Sequence, residues 1–154
     1  MTTPKLYMLI GVPGSGKSTW VANQEWAKDC VYVSTDKIVE EEAERQGKTY
    51  NDIFHDYMKT AVDIMTEQVI DAREAGKDII WDQTNVSVKS RAKKFRMLPD
   101  YYAIAVTFNT PEKEEHARRL DRPGKHIPAG VLNSMIENLE MPSEEEGFKE
   151  IWYT

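Results

Sequence analysis

An apolar pentapeptide, Leu6-Tyr7-Met8-Leu9-Ile10, runs directly into Gly11-Val12-Pro13-Gly14-Ser15-Gly16-Lys17-Ser18-Thr19, and this junction constrains the chain more than any other stretch. The second segment satisfies G-x-x-x-x-G-K-[ST] without a mismatch. Glycines accept the backbone angles that turn successive N–H groups inward, which makes a concave anion site at a helix N-terminus. In such a loop Gly11, Pro13, Gly14, Ser15 and Gly16 surround the phosphates of a nucleoside triphosphate. Lys17 reaches the β- and γ-phosphates, Ser18 offers its hydroxyl to magnesium, and Thr19 begins to cap the helix. A plain Gly/Pro turn is the alternative, but a buried-strand pattern before it and an amphipathic run after it favour nucleotide binding.

The rest of the chain alternates between strand and helix patterns. The apolar run into the glycine loop reads as a strand and Ser18 to Lys28 as the helix after it. Val31 to Val33 is a second strand, and Ser34-Thr35-Asp36 offers caps for a helix that runs toward Gln46 and ends at Gly47. Asn51 to Ala75 repeats apolar residues at helical spacing, with Gly76 as a stop. Asp78 to Asp82 and Tyr101 to Phe108 read as strands, with a helix over Val86 to Leu98 between them. Pro111 opens a helix that runs into the arginines, Pro128 starts a last helix through Leu139, and Phe148 to Tyr153 is an edge strand.

This alternation predicts an α/β fold with a parallel sheet of four to five strands between helices. At 154 residues and 40% hydrophobic, the chain is expected to be a single domain over 1–154. Ligands of such sheets bind beyond the strand C-termini, so Gly11, Asp36, Asp82 and the residues after Phe108 should open on one edge.

The single Cys30 excludes an internal disulfide, and the N-terminal stretch lacks a basic-then-apolar signal design. No apolar run is long enough to cross a bilayer, so a cytoplasmic protein with no membrane association is expected, and no obligate protein partner is evident. The net charge of −6 would repel a nucleic-acid backbone if it were spread evenly, so such a partner needs locally concentrated base. Two basic clusters exist: Lys89, Arg91, Lys93, Lys94 and Arg96, and Arg118, Arg119, Arg122 and Lys125. Either could also be a solvated helix face.

Asp36 follows the second strand and can serve as the general base that accepts a proton from a hydroxyl, or simply as an N-cap. Asp82 ends the third strand, where a carboxylate reaches magnesium directly or through water. Thr84, Asn85 and Arg91 follow in a polar loop and first helical turns suited to substrate contacts, or to turn and surface chemistry. Arg118 and Arg122, four residues apart, share a helix face that suits a flap over the triphosphate, with a solvated helix end as the alternative. His116, His126 and Cys30 show no metal-ligand spacing and read as structural, and His55 reads as a surface or packing residue.

With these positions assembled, the chain resembles the kinase domain of polynucleotide 5′-hydroxyl kinases, especially the phage type, among small phosphate-loop kinases. The matching pieces are GVPGSGKSTW at Gly11 to Trp20, STD ending at Asp36, WDQTN at Trp81 to Asn85 with Arg91 beyond, RRLDR at Arg118 to Arg122 followed by KHIP, and PSEEEGF from Pro142 to Phe148. The resemblance implies a phosphate-loop kinase fold with a small helical lid at about 115–127, Lys17 and Ser18 for ATP and Mg2+, Asp36 as general base, Asp82 as a supporting acid and Arg122 as lid arginine. It implies transfer of the γ-phosphate of ATP to single-stranded or nicked 5′ ends of RNA or DNA. One position departs: where phage-type enzymes carry an arginine three residues after the base to contact the acceptor phosphate, this chain has Val39. No D-x-D phosphatase motif occurs, so 3′-phosphatase activity is not expected. Two other functions fit the same motifs, a kinase of a small metabolite or nucleoside and a nucleotide-switched binding module.

Overall fold

The computed structural model describes residues 2–154. Its elements, in chain order, are β1 (Lys5–Ile10), α1 (Lys17–Ala22), β2 (Val31–Val33), α2 (Thr35–Gln46), α3 (Tyr50–Glu74), β3 (Ile79–Asp82), α4 (Val88–Met97), β4 (Tyr102–Thr107), α5 (Lys113–Leu120), α6 (Ala129–Glu137) and β5 (Glu150–Tyr153). The five strands form one sheet in the order β2-β3-β1-β4-β5, and every neighbouring pair is parallel. This is the α/β phosphate-loop kinase-like fold.

β1 is central because both of its faces are apolar. Leu6, Met8 and Ile10 pack with Met65, Val69 and Ala72 of α3 and with Phe148, while Tyr7 and Leu9 pack on the opposite face with Trp20, Trp26 and Trp152. A strand covered on both sides reads as a continuous apolar run rather than an alternating one, which is the pattern of Leu6 to Ile10. A third cluster, Val39, Ala43, Ile53 and Ala61, joins α2 to α3 as a helical hairpin. The hairpin's ends follow from local chemistry: Gly47 closes α2 at φ 67°, and Thr49 and Asp52 form a reciprocal capping box that starts α3.

Several boundaries differ from the sequence expectation. The helix expected over Ser18 to Lys28 is two pieces, α1 and a 3-10 turn over Glu25–Asp29. The Asn23 N–H closes α1 on Thr19 and Trp20, and the turn beyond it lets Trp26 lie 4.4 Å from the ring of Tyr7 and 5.9 Å from that of Trp20. α4 starts at Val88, not Val86, because Ser87 caps it through the Ser90 N–H. Phe148 precedes β5 as a core residue packed edge-on against Phe95. Among the described residues no helix is long and apolar enough to cross a membrane.

Candidate active site

The C-terminal ends of β1, β2, β3 and β4 open on one edge of the sheet, as the alternation predicts. There the glycine loop, the Asp36 segment, the Asp82–Thr84 segment and Phe108–Pro111 line one cleft of about 1280 Å³.

The loop takes its shape from two left-handed glycines, Gly14 at φ 78° and Gly16 at φ 99°. Gly16 is the N-cap of α1, so Thr19 lies inside the helix and does not cap it. The Lys17 ammonium donates to the Gly11 carbonyl at 2.7 Å and the Val12 carbonyl at 3.1 Å, which draws it against the loop it serves. Burial pulls its pKa below the ordinary value, while Asp82 and Asp36 pull the other way. Ser15 Oγ is buried in the same loop without a hydrogen-bond partner. Left-handed glycines, a helix start and a half-buried ammonium fit a nucleoside triphosphate.

Asp82 ends β3, is 7% exposed, and accepts a hydrogen bond from the Tyr32 hydroxyl. Burial raises the pKa of Asp82, and the Tyr32 hydrogen bond and the Lys17 charge oppose the rise. Tyr32 is itself pushed up by burial and by Asp82, with the hydroxyls of Ser18 and Ser34 acting in the opposite sense. Ser18 and Asp82, which line the cleft with Tyr32, are the two oxygen groups suited to a hard divalent cation. Among the described residues no group of three His, Cys, Asp or Glu side chains could hold a metal by itself, so Mg2+ here would share its ligands with phosphate oxygens and water.

Ser34, not Asp36, caps α2: its hydroxyl accepts the Lys37 N–H at 3.2 Å. That leaves the Asp36 carboxylate free to face the cleft. There Oδ1 accepts the Tyr50 hydroxyl at 2.7 Å and Oδ2 lies 3.3 Å from the Lys125 ammonium.

α5 packs on the phosphate loop through residues at helical spacing. His116, 5% exposed, bonds the Pro13 carbonyl through Nε2 at 2.7 Å, and Arg119 Nη1 donates to the Gly14 carbonyl at 3.2 Å. A Cβ at Gly14 would lie 3.0 Å from Leu120 and 3.1 Å from His116, so glycine is required there for packing as well as for φ. Arg118 points away: it pairs with Glu115, and its side chain is 70% exposed. Arg122 lies beyond α5, in the tight turn Arg122-Pro123-Gly124-Lys125, with Gly124 at φ 73°. Pro followed by Gly at the two central positions is the pattern of a type II turn. The turn brings Arg122 Nη2 within 3.3 Å and Lys125 Nζ within 2.8 Å of the same Glu40 oxygen.

Of the residues expected to contact substrate, Asp36 and Thr84 line the cleft, and Asn85 and Arg91 do not. Asn85 is 3% exposed, adopts φ 49°, and donates from Nδ2 to the Leu9 carbonyl at 2.7 Å. Arg91 is fully buried, pairs with Glu146 at 2.8 and 3.1 Å, and donates to the Asn85 carbonyl at 2.8 Å. Both hold the backbone that carries Thr84, whose carbonyl accepts the Gly11 N–H. Arg119 and His116 were missed as site residues, although the spacing 116, 119, 120 puts them and Leu120 on one helical face. Tyr32, Glu40 and Tyr50 gave no sequence signal, because their places depend on how α2, α3 and the sheet meet.

A parallel sheet with a phosphate loop at its central strand and a lysine- and carboxylate-lined cleft defines a phosphate-loop protein of kinase-like architecture. The chain belongs to the AAA domain family, whose profile matches residues 6–142. It is 24% identical over 159 residues to transcription factor bHLH140 of Arabidopsis thaliana, covering 95% of this chain and 15% of that protein. It is also 24% identical over 153 residues to the bifunctional polynucleotide phosphatase/kinase of Schizosaccharomyces pombe, covering 96% of this chain and 32% of that protein. The chain thus spans less than a third of the length of either relative. Among solved structures, it is similar to a chain of the Pnkp1/Rnl/Hen1 RNA repair complex, with TM-score 0.67 and 23% identity, covering 90% of this chain and 45% of that one. It is likewise similar to a gluconokinase from Sinorhizobium meliloti 1021, with TM-score 0.57 and 18% identity over 99% and 83% of the two chains. Kti12 of Chaetomium thermophilum in complex with ADP-AlF3 gives TM-score 0.60 at 14% identity over 97% and 88%. At these identities the structural likenesses concern the fold.

Proposed function

We propose that this protein is an ATP-dependent kinase that transfers the γ-phosphate to the 5′-hydroxyl of RNA or DNA, at single-stranded or nicked ends. The observation that carries the reading is the Asp36 carboxylate, released from capping by Ser34 and facing the cleft that Lys17 shares. Two of the similar proteins, the yeast bifunctional polynucleotide phosphatase/kinase and the RNA repair complex, support a polynucleotide acceptor.

In this reading Asp36 takes the proton of the acceptor hydroxyl as its oxygen bonds to the γ-phosphorus and the bond to the bridging oxygen of the departing diphosphate breaks. Lys17 holds the phosphates, and Arg122, with Arg119 above Gly14, offsets charge on the transferring group. Ser18 and Asp82 would hold Mg2+, directly or through water, and the ion supplies further charge neutralisation when bound. Residues 115–127 serve as the lid of a single 1–154 domain.

Labelled ATP and 5′-hydroxyl oligonucleotides test this directly. Wild-type protein should label the 5′ end, and Asp36→Ala should lose about 10²- to 10⁴-fold in rate. Label transfer undiminished in Asp36→Ala would contradict the reading.

A second reading has one observation in its favour. Around the acceptor side Asp36 and Glu40 balance Arg122 and Lys125, a neutral setting that also suits a small hydroxyl compound, and the gluconokinase shares the fold.

A further inference from the structure

The turn after α5 presents two cations, and they are not equivalent. The Arg122 side chain is 54% exposed, whereas that of Lys125 is 13% exposed although it sits on a surface turn. Lys125 Nζ lies 3.3 Å from Asp36 Oδ2, 2.8 Å from Glu40 Oε1 and 4.5 Å from the centre of the Tyr50 ring. Among the described residues it is the only cation in ion-pair range of Asp36.

The turn is held in this place from α3. The Asn51 N–H donates to the Gly124 carbonyl at 3.0 Å, and the Asn51 side chain exchanges hydrogen bonds of 2.9 and 3.2 Å with the His126 backbone. Gly124 meets Thr49 so closely that a Cβ would lie 2.7 Å from it. α2 offers no cation of its own near the base at the position one turn on, because Val39 is fully buried in the hairpin core.

We propose that Lys125 is the acceptor-side cation: it steadies the Asp36 carboxylate and binds the phosphate that neighbours the attacked hydroxyl. This rests on the polynucleotide kinase reading above. An ammonium has three N–H donors, and Asp36 and Glu40 engage two of them, which leaves one for a ligand. Glu40 divides one oxygen between Lys125 and Arg122, and its side chain is 38% exposed. Glu40 is therefore the group that an incoming phosphate displaces, so the site discriminates by exchange of one anion for another. The ligand class is a hydroxyl compound with a phosphate ester two carbons away from the carbon that bears the attacked hydroxyl, of which a nucleoside 3′-phosphate is the smallest polynucleotide piece.

Initial rates of the full chain with ATP and magnesium on two acceptors, a nucleoside 3′-phosphate and the same nucleoside without phosphate, test the assignment. Wild type should prefer the phosphate-bearing acceptor. Lys125→Met should raise the KM for that acceptor roughly tenfold to a hundredfold, the range of one lost charge-assisted contact, with the KM for ATP unchanged and the preference gone. Lys125→Arg should keep most of the preference. Glu40→Gln should act in the opposite direction and lower the KM for the phosphate-bearing acceptor. A Lys125→Met protein that slows both acceptors by one factor and keeps the preference would overturn the proposal, as would a Glu40→Gln protein with a raised KM. Wild-type transfer to neither acceptor would sink the polynucleotide reading and this assignment with it, whereas transfer with a preference indifferent to Lys125 sinks this assignment alone.

Discussion

Lys94 shows what burial does to a single charge in this fold. It is 9% exposed, its ammonium lies 5.3 Å from the centre of the Trp81 ring, and burial pushes its pKa down to about 8, with Lys93 and Arg91 adding to the shift. The ordinary value is 10.5. Between about 8 and 10.5 the unfolded chain binds more protons at this site than the folded one, so the Lys94 contribution to stability rises with pH across that window. Below it the cost of burying the ammonium is present in full. Lys94→Met should therefore raise the melting temperature at pH 7 and raise it less at pH 10. Paired thermal melts check this, and a pH-independent difference would count against it. Nothing in the sequence separates Lys94 from Lys93, because a charge on a helix reads as solvated until the neighbouring strand is in place. Arg91 and Asn85 misled for the same reason: a polar loop and an arginine near a phosphate loop look like substrate contacts. Asp36 was legible because strand-end position and residue type coincide, and the structure adds that Ser34 does the capping.

At the scale of elements, Arg91 and Glu146 tie α4 and the 142–148 segment to the backbone beneath the cleft. Removing one partner of a buried ion pair strands the other charge, so Arg91→Ala should cost about 3–5 kcal/mol of stability. Replacing both partners by apolar residues, Arg91→Met with Glu146→Leu, should recover much of that loss. Denaturant titrations of the single and double variants decide it, and a single variant as stable as wild type would show the pair to be inert. The strands and long helices were legible from periodicity, since both faces of β1 are apolar and α3 repeats at helical spacing. The split after Ala22 was not, because it depends on Trp26 meeting Tyr7 on one face of the sheet. The Pro-Gly of the Arg122–Lys125 turn was visible as a break, but its consequence was not: it sets two cations side by side over Glu40. The flap expected from Arg118 and Arg122 on one face is instead His116, Arg119 and Leu120 packed on the loop, with Arg118 in solvent and Arg122 on the turn.

For the molecule as a whole, topology does the gathering. Four strand ends far apart in sequence converge on one sheet edge, so a cleft is assembled from segments whose spacing alone implied it. The parallel sense of the sheet follows from the alternation of elements, whereas the Asp36 and Lys125 side of the cleft depends on the α2–α3 hairpin and the turn docked against it. A chain of net charge −6 does not attract nucleic acid through its overall field, so on the proposed reading a polynucleotide acceptor would be held by the few cations at the cleft. A side-by-side kcat/KM comparison of 5′-hydroxyl oligonucleotides with small hydroxyl acceptors such as gluconate and free nucleosides, with ATP and magnesium in each case, distinguishes a polynucleotide kinase from a small-molecule kinase. For a polynucleotide kinase, transfer to the oligonucleotide 5′ end should have the highest kcat/KM of the set. A higher kcat/KM for a small metabolite would contradict that reading.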